Sequence, residues 1–181
     1  GGGGAAAGGG GGVAGGGGGG GGAGGGGIVF GSTCDLRGNL IAGNTATYVG
    51  GGIAAYGEAG TILSGNTIVG NHCDGYGGGL ELEGSPVFSG NLVLSNTAGY
   101  GGGMTLWGMD TAHPLLLNNV VAANAAYTAG SGLYIIGLSP RLLHTTIADN
   151  VGGDGSGVYV TRDLWYVGTA ALTDTILTGH T

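Results

Sequence analysis

Five times along this chain an Asn closes a short apolar stretch, and a glycine-rich step ending in an aliphatic residue follows soon after. The Asn residues are Asn44, Asn71, Asn96, Asn124 and Asn150, spaced 27, 25, 28 and 26 residues apart. The steps are Gly50-Gly51-Gly52-Ile53, Gly77-Gly78-Gly79-Leu80, Gly101-Gly102-Gly103-Met104, Gly130-Ser131-Gly132-Leu133 and Gly155-Ser156-Gly157-Val158. A period in this range means one structural unit repeated, so the chain is expected to be a solenoid or an array.

Three apolar columns emerge when the repeats are aligned. The first is Ile41, Ile68, Val93, Val121, Ile147 and Ile176. The second is Leu36, Leu63, Phe88, Leu116, Leu142 and Ala171. The third follows the glycines in alternation: Ile53 and Ala55, Leu80 and Leu82, Met104 and Leu106, Leu133 and Ile135, Val158 and Val160. Alternation with β-branched enrichment is the signature of strand rather than helix. Three short strands per turn, with Gly and Asn at the corners, describe a coil that stacks on its neighbours and cannot bury its face alone. The expected fold is all-β: a single right-handed, three-sided parallel β-helix, or β-solenoid, of about six visible coils of 25–29 residues. Leucine-rich repeats lack a matching signature here, and propeller blades need about 40 residues.

The five Asn residues are expected to stack in one corner as a structural ladder. The glycines suit a corner that needs positive φ. Tyr48, Tyr76, Tyr100 and Tyr127 precede the glycine steps and are expected to stack along the edge.

Residues 1–27 contain only Gly, Ala and Val13. A flexible linker would usually carry Ser, Asn or Pro. The tract reads instead as a backbone whose Gly and Ala stand in for unidentified side chains. Its length is about one repeat, so it is expected to be the coil that precedes residues 28–181.

Charge narrows the function. The chain has no Lys, three Arg (Arg37, Arg141, Arg162) and a net charge of −7. That excludes the basic surface that nucleic acid requires and disfavours anionic lipid. No apolar run approaches the length of a spanning helix, and no signal peptide is visible, so the chain reads as mature, truncated or internal. Cys34 and Cys73 fall at different points of the repeat. Their spacing neither demands a disulfide nor makes a metal site.

The repeats resemble a known pattern. Phe88-Ser89-Gly90-Asn91 reads as F-x-x-N, with Leu36–Asn39, Leu63–Asn66 and Leu116–Asn119 as conservative versions. The Gly-Gly-Gly-aliphatic steps resemble G-G-A-[ILV]. Together they are similar to the repeats of polymorphic outer membrane proteins, within the wider parallel β-helix repeat families of bacterial surface proteins. The resemblance implies an exported, cell-surface or extracellular protein used in adhesion or as a spacer. It carries no shared catalytic set.

For chemistry, the best pair is Glu81 and Glu83, at i and i+2 on one strand face. Alignment places Glu83 between Tyr56 and Trp107, with Tyr134, Ile136 and Tyr159 further along. Carboxylates beside exposed rings suit a sugar, although two exposed glutamates also simply keep a β-face soluble. Polysaccharide lyases and hydrolases usually add Lys or Arg to stabilise charge, and Arg162 is three turns away, about 14 Å by the stacking rise. His72, His113, His144 and His180 make no ligand spacing. No G-x-S-x-G elbow is present, and no glycine cluster precedes Lys-Ser/Thr. Gly152–Gly157 lacks the recurrence of a calcium β-roll. The Thr residues do not form the paired ranks of an ice-binding face. The expectation is a non-enzymatic extracellular or cell-surface structural or adhesive solenoid with no cofactor or metal. It would associate with itself through its ends or with other surface proteins. The alternative is a carbohydrate-binding or polysaccharide-modifying β-helix using Tyr56, Glu81, Glu83 and Trp107.

Overall fold

The computed structural model of the chain describes residues 13–15, 26–57, 60–109 and 111–181. Among these residues every regular element is a strand, and every named strand pair is parallel. Each strand pairs with the equivalent strand one repeat before or after it, so the chain winds into a β-solenoid of about five turns.

The strands stack into four sheets. Sheet A holds Val13–Gly15, Leu40–Ala42, Thr67–Val69, Leu92–Leu94, Val120–Ala122, Thr146–Ala148 and Ile176–Thr178. Sheet B holds Ile28–Phe30, Ile53–Gly57, Leu80–Gly84, Met104–Trp107, Leu133–Ile136 and Val158–Thr161. Sheet C holds Asp35–Arg37, Ile62–Ser64, Val87–Ser89, Leu115–Leu117, Arg141–Leu143 and Ala171–Thr173. Sheet D is smaller: Thr45–Ala46, His72–Tyr76, Thr97–Tyr100 and Ala125–Ala129. The sequence reading allots three strands to a turn, whereas the turns that contribute to sheet D carry a fourth. Its inward column is Ala46, Cys73, Ala98 and Ala126, the first three forming a separate small cluster. Such short side chains give no aliphatic signal.

The registers make the core. Ile41, Ile68, Val93, Val121 and Ile147 are successive partners in sheet A. Leu36, Leu63, Phe88, Leu116 and Leu142 are successive partners in sheet C. Sheet B contributes Ile53, Leu80, Met104 and Leu133, and two residues on Ala55, Leu82, Leu106 and Ile135. The interior members of these columns are buried and form one cluster. Each buried Ile, Leu or Phe contributes about 1.5–3 kcal/mol. The last turn slips by one residue from the aligned columns: Leu177 pairs with Ile147 and Leu172 with Leu142, not Ile176 and Ala171. Asp174 takes the positive-φ place that Gly65, Gly90 and His144 take in earlier turns. Thr175 then stands where Thr145 does, each hydroxyl donating to the carbonyl of a sheet C residue in the preceding turn.

Glycine is required in the steps for two reasons. The first residue of each step has φ between 57 and 70° (Gly50, Gly77, Gly101, Gly130, Gly155). The second and third lack room. A Cβ on Gly78 would collide with the carbonyl oxygens of Gly102 and Thr97, and one on Gly103 would lie 2.6 Å from the Gly132 oxygen. Ser131 and Ser156 take the second place in the last two steps, and the Ser131 hydroxyl is bonded to the Ala126 amide and to the Val151 and Gly152 carbonyls.

Val13–Gly15 pairs with Leu40–Ala42, and Ile28–Phe30 with Ile53–Ala55. The expectation of a complete preceding coil falls mostly on residues 1–12 and 16–25, which lie outside the described residues.

Candidate functional site

The outer face of sheet B brings together all four residues of the candidate site. Glu83 pairs in register with Tyr56 on one side and Trp107 on the other. These three side chains therefore form one row along the solenoid axis, at the ~4.8 Å rise of stacked strands. Ile136 and Thr161 extend the row. Glu81 belongs to the neighbouring row, Val29–Ala54–Glu81–Thr105–Tyr134–Tyr159.

The two glutamates are not equally exposed, as the sequence pattern alone implies. Trp107 is 44% exposed, Glu83 and Tyr56 are half-buried, and Glu81 is only 1% exposed. The row holding Glu81 is roofed where sheet D folds back. The Tyr76 and Tyr100 rings stack at 5.0 Å, and Tyr100 and Tyr134 lie 5.2 Å apart. Thr105 donates to the Tyr100 carbonyl. Both carboxyl oxygens of Glu81 lack a hydrogen-bond partner. Burial, and secondarily the charge of Glu83, push the Glu81 carboxyl up to about 8. Burial also raises Glu83. Tyr56 is raised by burial and then by Glu81 and Glu83. The site thus holds a carboxyl neutral at neutral pH beside a more accessible carboxylate, between two aromatic rings. Of the two carboxyls only Glu83 is open to accept hydrogen bonds from hydroxyls or to attract a cation. Acid–base cleavage is harder to support, because Glu81 is closed off from a scissile bond and no ion pair reaches either glutamate among the described residues.

The Asn residues lie inside the corners. Asn44, Asn71, Asn96 and Asn124 each donate through Nδ2 to the Oδ1 of the next Asn at 3.0 Å, ending at Asn150. The same Oδ1 atoms accept the backbone N–H of the preceding Asn at 2.9 Å. A second ladder, Asn39–Asn66–Asn91–Asn119, repeats this in another corner. Its members are visible in the aligned repeats, but the sequence reading treats them only as a motif letter. Apart from the half-buried Asn39, both ladders are buried among backbone, with their amides bonded within the fold.

The tyrosine stack differs from expectation. Tyr76 pairs with Val49 and Tyr100 with Ala129, so Tyr48 and Tyr127 fall out of register and stay 58% and 78% exposed. The stack is instead Tyr76, Tyr100, Tyr134 and Tyr159, with Tyr134 and Tyr159 at 5.4 Å. The signal for the last two was their shared place, two residues beyond Gly132 and Gly157. His72 bonds to Thr97 and Asp74, and His113 to the Ser139 carbonyl. His180, two residues after Thr178, reaches Gly157 as Asn150 reaches Gly132. Cys34 and Cys73 are free thiols. Among the described residues no group of three or more His, Cys, Asp or Glu could hold a metal ion, and no helix is long and apolar enough to cross a membrane.

A family described as right-handed beta helix region matches residues 21–164, and the chain belongs to it. No curated protein and no solved structure matches the chain.

Proposed function

We propose that this β-helix is a non-enzymatic structural and adhesive solenoid of a cell surface or extracellular setting. We read its cross-section as three broad sides, sheets A, B and C, with sheet D as an arm folded against B. The observation that supports the reading best is continuity: interior columns and both Asn ladders run unbroken from turn to turn, so the fold invests in rigidity rather than in a cavity. The likeness of the repeats to those of polymorphic outer membrane proteins supports the surface setting. Self-association through the solenoid ends belongs to the same reading. Unpaired strand edges attract further strands.

The test combines sedimentation of the purified chain with polysaccharide lyase and hydrolase assays. Concentration-dependent end-to-end association without turnover is expected. Turnover of any polysaccharide that Glu83→Gln removes would contradict the reading.

A second reading, carbohydrate binding, is favoured by one observation: Tyr56, Glu83 and Trp107 occupy consecutive turns in strict register. A glycan array checks it, with binding that Trp107→Ala abolishes as the expected result.

A further inference from the structure

Among the described residues Glu81 is the buried acid, and neither of its carboxyl oxygens has a hydrogen-bond partner. The hydroxyl in register with it on the next strand, that of Thr105, donates to the Tyr100 carbonyl instead. The groups around it supply no cation. Glu83 faces it from its own strand, Tyr56 from the strand on one side and Cys73 from sheet D. The strand on the other side brings Thr105 and Trp107. His72 and Asp74, on the sheet D strand that carries Cys73, bond to each other, and His72 bonds to Thr97. A carboxylate formed here would stand desolvated and unpaired, which a protein interior does not tolerate. The cover over Glu81 is thin. The inward column of sheet D, Ala46, Cys73, Ala98 and Ala126, is too short to interlock as the aliphatic columns do. The covering strand His72–Tyr76 is also bulged: Asp74 and Gly75 stand against Gly99 alone, between the pairs Cys73–Ala98 and Tyr76–Tyr100, and a bulge interrupts the ladder. Gly77, at φ 70°, follows as a second pivot.

We propose that the segment from His72 to Gly77 is a proton-controlled flap, closed on sheet B while Glu81 carries its proton and lifted when Glu81 ionises. Lifting lets water and cations reach the carboxylate. The direction follows from linkage. With the flap open, Glu81 ionises at the ordinary 4.5; with it closed, burial and secondarily the charge of Glu83 push the carboxyl up to about 8. Open molecules therefore hold fewer protons across that window. The open-to-closed ratio rises about tenfold per pH unit through it and levels off above. The aliphatic columns lie on the inner side of sheet B, so the solenoid keeps its core while the flap moves, as a local opening does. The open state adds a second carboxylate to the outer face of sheet B, beside the Tyr56–Glu83–Trp107 row. The flap stands whatever that row binds.

The experiment is amide hydrogen exchange of the whole chain as a function of pH, with each rate divided by that of the unstructured peptide. The Tyr76 and Gly77 amides donate to the Tyr48 and Tyr100 carbonyls, and the Thr67 and Leu92 amides donate within the stacked core turns. Protection of Tyr76 and Gly77 is expected to fall about tenfold per pH unit between 4.5 and about 8. It should stay below that of Thr67 and Leu92 and ignore low urea, because a local opening exposes little surface. Glu81→Gln, which keeps the side-chain volume and cannot ionise, should remove the slope. Cys73, a buried free thiol, gives a second readout in the Cys34→Ala background. Ionised Glu81 raises the Cys73 thiol, so charge alone would make the parent label more slowly than Glu81→Gln. The flap makes it label faster, by a factor that grows with pH. Protection of Tyr76 that does not change across the window overturns the proposal. So does exchange of Tyr76 only together with Thr67 and Leu92 and accelerated by urea, which makes the opening global. Labelling of Cys73 no faster in the parent than in Glu81→Gln overturns it as well. Should Glu81→Gln fail to fold, wild-type exchange decides alone.

Discussion

Glu81 concentrates the chemistry of the molecule in one side chain. Its carboxyl ionises at about 4.5 in the unfolded chain and is pushed up to about 8 in the fold. A raised carboxyl stabilises the fold fully below the unfolded value and loses that contribution as pH climbs to the folded one. Stability should therefore fall between pH 4.5 and about 8, with a slope approaching about 1.4 kcal/mol per pH unit. Urea unfolding of the wild type across this window should show the decline, and Glu81→Gln should flatten it. The Asn ladders set the opposite kind of residue effect. Asn96 donates to Ile68 and Asn124 and accepts twice from Asn71. Asn96→Ala strands these buried groups and should cost about 3 kcal/mol or more in chemical denaturation. Asn39→Ala, at a half-buried ladder end where the Asn66 oxygen loses only part of its hydrogen bonding, should cost about 1 kcal/mol.

At the scale of elements, two kinds of glycine carry different burdens. Gly90 turns a corner at φ 64° with open space around its missing side chain. Gly90→Ala should cost about 1 kcal/mol, the left-handed penalty alone. Gly78 faces the backbone of the next turn without room for a Cβ. Gly78→Ala should cost about 3 kcal/mol or more by overpacking against rigid backbone. Thermal melts of the two variants separate these causes. Sequence periodicity reveals sheets A, B and C because their inward residues are aliphatic and recur at a fixed offset. Sheet D stays hidden because Ala46, Cys73 and Ala98 carry little hydrophobic signal. The row Tyr56–Glu83–Trp107 is legible because register follows directly from the glycine steps. The burial of Glu81 is not legible: it comes with sheet D, whose Cys73 shares its electrostatics, lying against sheet B, a contact between elements that no local pattern encodes. The sequence pattern places the last turn one residue out of register because Asp174 resembles Asn39, Asn66, Asn91 and Asn119, yet it fills the corner ahead of their place.

At the scale of the whole molecule, the described residues expose large apolar side chains along the solenoid, Val29, Leu92, Trp107 and Met109 among them, and in the last turns as well. Leu172, Ile176 and Leu177 are exposed there, and the preceding loop shows Trp165 at 82%. That loop is pinned by Asp163, whose carboxylate accepts the Trp165 and Tyr166 amides. Self-association through this end should weaken in Leu177→Glu and persist in Leu94→Glu, which lies outward in the middle of sheet A; sedimentation velocity over a range of concentrations checks this. The adhesive and binding readings both require that side chains from successive turns stand directly above one another on the outer face of sheet B. Disulfide trapping tests that requirement most directly, in a background with Cys34 and Cys73 replaced by Ala. Paired strand positions lie within the Cα span a disulfide needs, while positions two residues off register lie beyond it. Glu83→Cys with Trp107→Cys should cross-link rapidly under mild oxidation, and Glu83→Cys with Thr105→Cys should not. Faster trapping of Glu83→Cys with Thr105→Cys would place the row out of register and contradict the account.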